Sequence, residues 1–211
     1  GEVLEKKFAA RTIYLEDPTR REITTELNQL RKVLTRDDSV LIYYAGHGWL
    51  DPDTDEGYWL PSDADPDDDT DWVSNNYVLN KLKAFPATNV MLVADSCFSG
   101  SIISRGISTP TVNDTKTVLQ KYLDTPSRIA ITSGGLKPVL DGGGNGNSLF
   151  AAAFAEALEK PNQPITSAEI YLNVRDSVTS KSLALNVDQT PLRGEIIKAG
   201  HKGPDFILIP R

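Results

Sequence analysis

The chain has 211 residues, 39% apolar and 24% charged, enough to bury the core of one generous domain without requiring a second. It has no apolar run near the roughly eighteen residues that cross a bilayer, its opening GEVLEKKFAAR lacks the pattern of a signal peptide, and its single cysteine excludes an internal disulfide or multi-cysteine zinc site, so a cytoplasmic home away from membranes is expected. The net charge of −7 comes from one segment, Asp51 to Asp71, which holds nine Asp and one Glu with no Lys or Arg; the rest carries 19 acids against 22 bases with no basic stripe, which argues against nucleic acid as a partner.

Arg11 to Glu16 alternates weakly and predicts a short strand. Asp17 as N-cap and Pro18 at the first helical position predict a helix whose stripe is Ile23, Leu27, Leu30 and Leu34, ending near Arg36. SVLIYY (Ser39 to Tyr44) reads as a strand buried on both faces of a parallel sheet and runs straight into Ala45-Gly46-His47-Gly48. The acidic segment reads as a solvated, mobile loop, followed by a helix from Asn76 to Phe85. NVMLVA (Asn89 to Ala94) is a second buried strand, delivering Asp95-Ser96-Cys97 at its carboxyl end. After a polar stretch and a short helix from Lys116 to Leu123, RIAITS (Arg128 to Ser133) predicts a third. Beyond the glycine-rich Gly142 to Asn147 come helices from Leu149 to Lys160, capped by Ser148, and from Ala168 to about Lys181, capped by Thr166 or Ser167, then a closing strand in DFILIP. Strands alternating with helices predict an α/β sandwich with a mostly parallel sheet.

Ligand sites in such sheets lie at the carboxyl ends of the strands, and this reading places both His47 and Cys97 there. A thiol attacks as thiolate, and an imidazole takes its proton or stabilises the ion pair. Read singly, His47 could be a residue in a tight turn and Cys97 a small buried hydrophobe; the second histidine, His201, reads as a surface residue. The pairing of His47 and Cys97 favours chemistry.

The segments YYAGHG and VADSCFSG resemble the catalytic His and Cys segments of the caspase and metacaspase superfamily, its bacterial caspase-like branch above all, with the 50-residue His-to-Cys spacing of caspases. The resemblance runs from about Arg11 to DFILIP. It implies one domain over 1–211, with a larger-subunit-like part to about 103, a linker over about 104–127 and a smaller-subunit-like part from about 128. It also implies a cysteine endopeptidase acting on protein or peptide substrates, with Cys97 as nucleophile and His47 as general base and acid. Backbone N–H groups of Gly48 and Cys97 would form the oxyanion hole. Asp95 matches the metacaspase aspartate that holds a P1 Arg or Lys, although it could instead only cap the turn that follows. Ser133 and Asp141 fall where the family builds more of the cleft. A basic P1 preference makes Arg105, Lys116 and Lys121 candidate self-cleavage points in an exposed linker.

Three departures from the family pattern modify these expectations. Ala45 stands where metacaspases usually have Ser. Asn75-Asn76 and Ser104 stand where they place calcium-binding acids, so no cofactor is expected and calcium activation is disfavoured, with Asp63, Asp65 and Asp67 left as weak ligands for a hard cation. The family's first hydrophobic strand is missing, so the protein's own N-terminal fragment or a flanking chain is expected to complete the sheet. Two alternatives stay open: a non-catalytic caspase-like scaffold or regulatory module, against which both His47 and Cys97 argue, and a nucleotide-binding domain, against which the misplaced glycine-rich loop argues.

Overall fold

The computed structural model describes residues 1–96, 102–104, 118–134 and 146–211. In chain order its elements are α1 (Glu2–Phe8), α2 (Arg20–Val33), β1 (Ser39–Ala45), β2 (His47–Leu50), β3 (Gly57–Leu60), β4 (Val73–Ser74), α3 (Asn75–Lys83), β5 (Asn89–Asp95) and β6 (Ile103–Ser104), with a 3-10 turn at Asp69–Asp71. Then follow α4 (Val118–Asp124), β7 (Ser127–Thr132), α5 (Leu149–Glu159), β8 (Ile165–Thr166), α6 (Ser167–Ala184), β9 (Leu192–Ile196) and β10 (Ile207–Leu208).

The central sheet has the order β1-β5-β7-β9-β6. β1, β5 and β7 pair in parallel, while β9 runs antiparallel to both neighbours, so four of the five strands share one direction. Every residue of β5 and β7 is buried, which the apolar and β-branched runs at their centres, Val90 to Ala94 and Ile129 to Thr132, favour. Alternation along β5 feeds two layers. Val90 and Leu92 pack with Ile23 and Leu27 of α2 and Val78 and Leu82 of α3, whereas Met91 and Val93 pack with Phe150 and Phe154 of α5 and Ile170, Val174 and Val178 of α6. Fully burying a side chain such as Phe150 contributes roughly 2–3 kcal/mol.

Several expectations are corrected. Residues 11–16 form no strand, and Tyr14 is 79% exposed. α2 starts after Thr19 rather than Asp17: the Thr19 hydroxyl accepts from Glu22 N and the Glu22 carboxylate accepts from Thr19 N, satisfying two orphan donors reciprocally. Asp17 instead takes a left-handed φ of 42°, unlike the extended backbone of an N-cap. The helix stops at Val33, where Leu34 turns extended and Asp38 accepts from Thr35 N and Oγ1. β1 ends the described sheet and only Val40 in it is fully buried, so it is not the doubly covered strand expected. The acidic segment is not one loop, because β2, β3 and β4 make an antiparallel sheet across it. DFILIP does not extend the main sheet; its β10 pairs with β8 in a separate ribbon. β9 takes the vacated place, unpredicted because Arg193, Gly194 and Glu195 break the apolar pattern.

His201 is not on the surface either. Its ring is only 8% exposed, and Nδ1 accepts a hydrogen bond from Arg128 N at 3.1 Å. Burial pushes the imidazole below its ordinary value, partly opposed by Glu195 and Asp205. The unfolded chain therefore takes up this proton first as pH falls, so the stability held by neutral His201 is full above about pH 6.5 and is lost below it. His201→Asn, which keeps an acceptor without a titrating ring, should lose less thermal stability than wild type between pH 7.5 and 5.5. Parallel melting curves for the two proteins would contradict this. Among the described residues no helix is long and apolar enough to cross a membrane.

Candidate active site

The parallel register pairs Ala45 with Asp95, so β1 and β5 end level. Gly46 N donates to the Asp95 carbonyl at 3.4 Å, joining the two strand ends where the chain turns toward His47 and toward Ser96. His47 then opens β2, exposed, opposite Leu60 of β3; Gly48 follows opposite Trp59. Cys97 lies outside the described residues, as do Asp141, Arg105 and Lys116.

The position of His47 is fixed from beneath. Tyr44 OH donates to the His47 carbonyl at 2.6 Å, and the Tyr44 ring stacks on buried Trp59 with centroids 4.1 Å apart and planes within 5°. Such a stack contributes about 0.5–1.5 kcal/mol beyond area. Burial pushes the Tyr44 phenol well above its ordinary value, so it stays a donor. A Cβ on Gly46 would sit 2.8 Å from that hydroxyl, and the stacked ring cannot swing away without losing its bond. The sequence shows Tyr44 only as the last residue of a predicted strand and Gly46 as one of two glycines that clear space around His47. Gly46→Ala should therefore lower the thermal midpoint by several degrees and Tyr44→Phe by less; midpoints equal to wild type in both variants would show that this contact does not hold the turn before His47.

Asp95 ends β5 with 6% exposure. Its Oδ2 accepts from Ser148 Oγ at 2.5 Å and from Tyr43 OH at 3.2 Å. Ser148 Oγ in turn accepts from Ala151 N at 2.9 Å as the N-cap of α5, which sets the carboxylate beside a helix N-terminus, where negative charge is stabilised. Burial, then the Asp95 charge, pushes the Tyr43 phenol well above its ordinary value. Ser148 was legible only as a cap and Tyr43 only as a strand residue; their convergence on one carboxylate has no local signature.

Ser133 is fully buried and braces the residue before Cys97, with Oγ donating to the Ser96 carbonyl at 3.3 Å and N donating to the Ala94 carbonyl at 2.9 Å. Gln189 Nε2 donates to its carbonyl at 3.4 Å. Lys121 lies exposed within α4, where the helical backbone does not offer the extended form a protease grips. In the acidic segment, Asp63 Oδ1 accepts from Arg20 N and Asp65 Oδ1 from Asp67 N. Among the described residues no group of three or more His, Cys, Asp or Glu could hold a metal ion.

A family model described as the caspase domain matches residues 2–195. Among solved structures, the chain is similar to caspase-1 from Spodoptera frugiperda at 14% identity and a TM-score of 0.61, covering 95% of this chain and 78% of that one. It is also similar to protein GSU0716 from Geobacter sulfurreducens at 16% identity and a TM-score of 0.55, covering 98% of this chain and 86% of that one. At these identities the likeness speaks for the fold. No curated protein matches the chain significantly.

Proposed function

Because this chain belongs to the caspase-domain family of cysteine peptidases, we propose that it is itself an active endopeptidase in which Cys97 is the nucleophile and His47 the general base and acid. The observation that carries this reading is the register of β1 and β5, which brings the segments preceding the two residues to the same end of the sheet, at the carboxyl ends of adjacent strands. His47 takes the thiol proton as sulfur attacks the scissile carbonyl carbon. The resulting oxyanion is held by backbone N–H groups of Gly48 and Cys97. Collapse breaks the C–N bond, and the amine leaves with the proton carried by His47. Water, deprotonated by the same imidazole, then hydrolyses the thioester and restores the thiol.

Asp95 favours a P1 Arg or Lys, since a buried carboxylate attracts a cation and penalises an acidic side chain. Ser133 and Asp141 belong to the cleft wall. No cofactor is assigned, and the Asn75-Asn76 pair supports activation without calcium. The enzyme acts in regulated proteolysis in the cytoplasm. It processes itself in the linker between its larger and smaller parts, at Arg105 or Lys116 ahead of Lys121, which α4 holds in a helix. A strand from its own N-terminal fragment or a flanking chain pairs with the outer edge of β1. The place of β1 at the end of the described sheet supports this reading, since an outermost strand offers backbone groups for another strand to pair with.

A positional-scanning peptide library with intact-mass measurement tests the whole reading. Wild type should cleave after Arg and Lys and yield fragments ending at linker basic residues, and Cys97→Ala should do neither. A preference for P1 Asp would overturn the specificity, and an uncut, fully active wild-type chain would overturn self-processing.

A further inference from the structure

The small sheet that begins with His47 has two unlike faces. Its inner face buries Trp59 and Val73 at 3% and 2% exposure against the core. Alternation puts His47 and Trp49 of β2, and Tyr58 and Leu60 of β3, on the outer face, with His47 paired to Leu60 and Trp49 to Tyr58. Trp72, which precedes β4, joins them: its ring lies 6.2 Å from Trp49 and 5.5 Å from Tyr58, edge-on to both. Trp49 is 47% exposed, unusual for a residue that normally buries most of its area. Trp72 Nε1 donates to the Asp65 carbonyl at 2.8 Å, which fixes its ring at this face.

Charge defines what the rings can take. The connection from β2 to β3 carries Asp51, Asp53, Asp55 and Glu56 and is closed by Asp51 N donating to the Glu56 carbonyl at 2.9 Å. Asp69 and Asp71 lie in the turn before Trp72. Burial, then the charges of Glu56, Asp69 and Asp51, raises the Tyr58 phenol above its ordinary value, which places negative charge near the hydroxyl at the border of the rings. Arg20, which reaches the Trp72 carbonyl through Nε at 3.2 Å, offsets part of this charge. Electron-rich rings bordered by carboxylates attract Lys and Arg through cation–π contact and long-range attraction. The patch is continuous with the candidate catalytic centre: residues two apart on a strand are roughly 7 Å apart, the distance from His47 to Trp49 along this face.

We propose that the outer face of β2 and β3, with Trp49, Tyr58 and Trp72 at its centre and the Asp51–Asp71 carboxylates at its rim, docks a Lys- or Arg-rich stretch of the polypeptide substrate flanking the scissile bond. This rests on the peptidase reading of His47 and adds a recognition element beyond the P1 residue.

Two measurements test it. Calorimetry on full-length Cys97→Ala compares two peptides with the same P1 Arg, one with three Lys in the flanks and one with three Glu. The Lys peptide should bind at least about tenfold more tightly, and the preference should shrink in high salt and in Trp49→Ala. On wild type, kcat/KM should favour the Lys peptide by a similar factor, expressed in KM, and in Trp49→Ala the ratio should approach one. Equal binding of both peptides, or a preference that survives Trp49→Ala, overturns the proposal. Selective binding by Cys97→Ala with no cleavage of either peptide by wild type supports the docking surface and overturns the peptidase reading instead.

Discussion

Cys97→Ala and His47→Ala should each lower kcat/KM for peptide hydrolysis by at least about a thousandfold with little change in thermal midpoint. Without the thiol there is no acyl-enzyme, and what remains is whatever the oxyanion donors contribute to direct attack by water. Without the imidazole the thiol stays largely protonated near neutral pH, and the leaving amine finds no acid. The two losses should not add in the double variant, since each alone disables one covalent route. Stability should survive at His47 because its bond to Tyr44 runs through the backbone carbonyl, which alanine keeps, and because the residue is exposed. Turnover within tenfold of wild type in either variant would refute the assignment. An inactive wild type would instead favour a scaffold that kept both residues.

How much could be read from the sequence divides along a physical line. NVMLVA and RIAITS read as strands because burial on both faces favours an apolar and β-branched run, each within one residue of the observed β5 and β7, and the helix from Leu149 is marked by its Ser148 cap. LRGEI does not read as a strand. Arg193 in it is tolerated because Asp205 pairs with it at 2.7 Å, both nearly buried, and Ser167 Oγ accepts from its Nε at 3.0 Å, and nothing in the strand itself reveals partners contributed from elsewhere in the chain. Arg128 likewise sits second in a fully buried strand because its guanidinium donates to the carbonyls of Phe85, Ala87, Thr88 and Ser127, four acceptors that no charge pattern predicts. At the candidate site, His47 reads as a reactive residue type after a predicted strand, and Cys97 reads the same way but lies outside the described residues. Tyr43, Tyr44 and Ser148 do not stand out in this way, because what gives them a role is the geometry of strand ends meeting a helix cap. The acidic segment was misread as loop for a related reason: its Asp and Pro content hides short strands whose apolar face consists of little more than Trp59 and Val73.

Asp95 should separate substrate recognition from architecture. A carboxylate that only caps Ser148 and Tyr43 would, when removed, weaken the fold and slow cleavage after every P1 residue alike. A carboxylate that also meets the P1 cation would cost selectively. Asp95→Asn is the informative substitution, since its carbonyl oxygen can still accept from Ser148 Oγ and Tyr43 OH while its charge is gone. The variant should fold with a thermal midpoint within a few degrees of wild type. It should lose about a hundredfold in kcat/KM after Arg and Lys, about 2.7 kcal/mol of transition-state binding, on the scale of one desolvated charge pair. Neutral P1 residues should lose much less. Asp95→Ala should add a stability penalty of roughly 1 kcal/mol, because two hydroxyls in a part-buried setting lose their acceptor. Ser148→Ala supplies the control from the other side: it removes the α5 cap, at about 1 kcal/mol, and one donor to Asp95, yet keeps the charge, so the preference for Arg and Lys should persist. Uniform losses across P1 residues in Asp95→Asn would assign the carboxylate to the α5 cap alone, and the basic specificity would then have to come from elsewhere in the cleft.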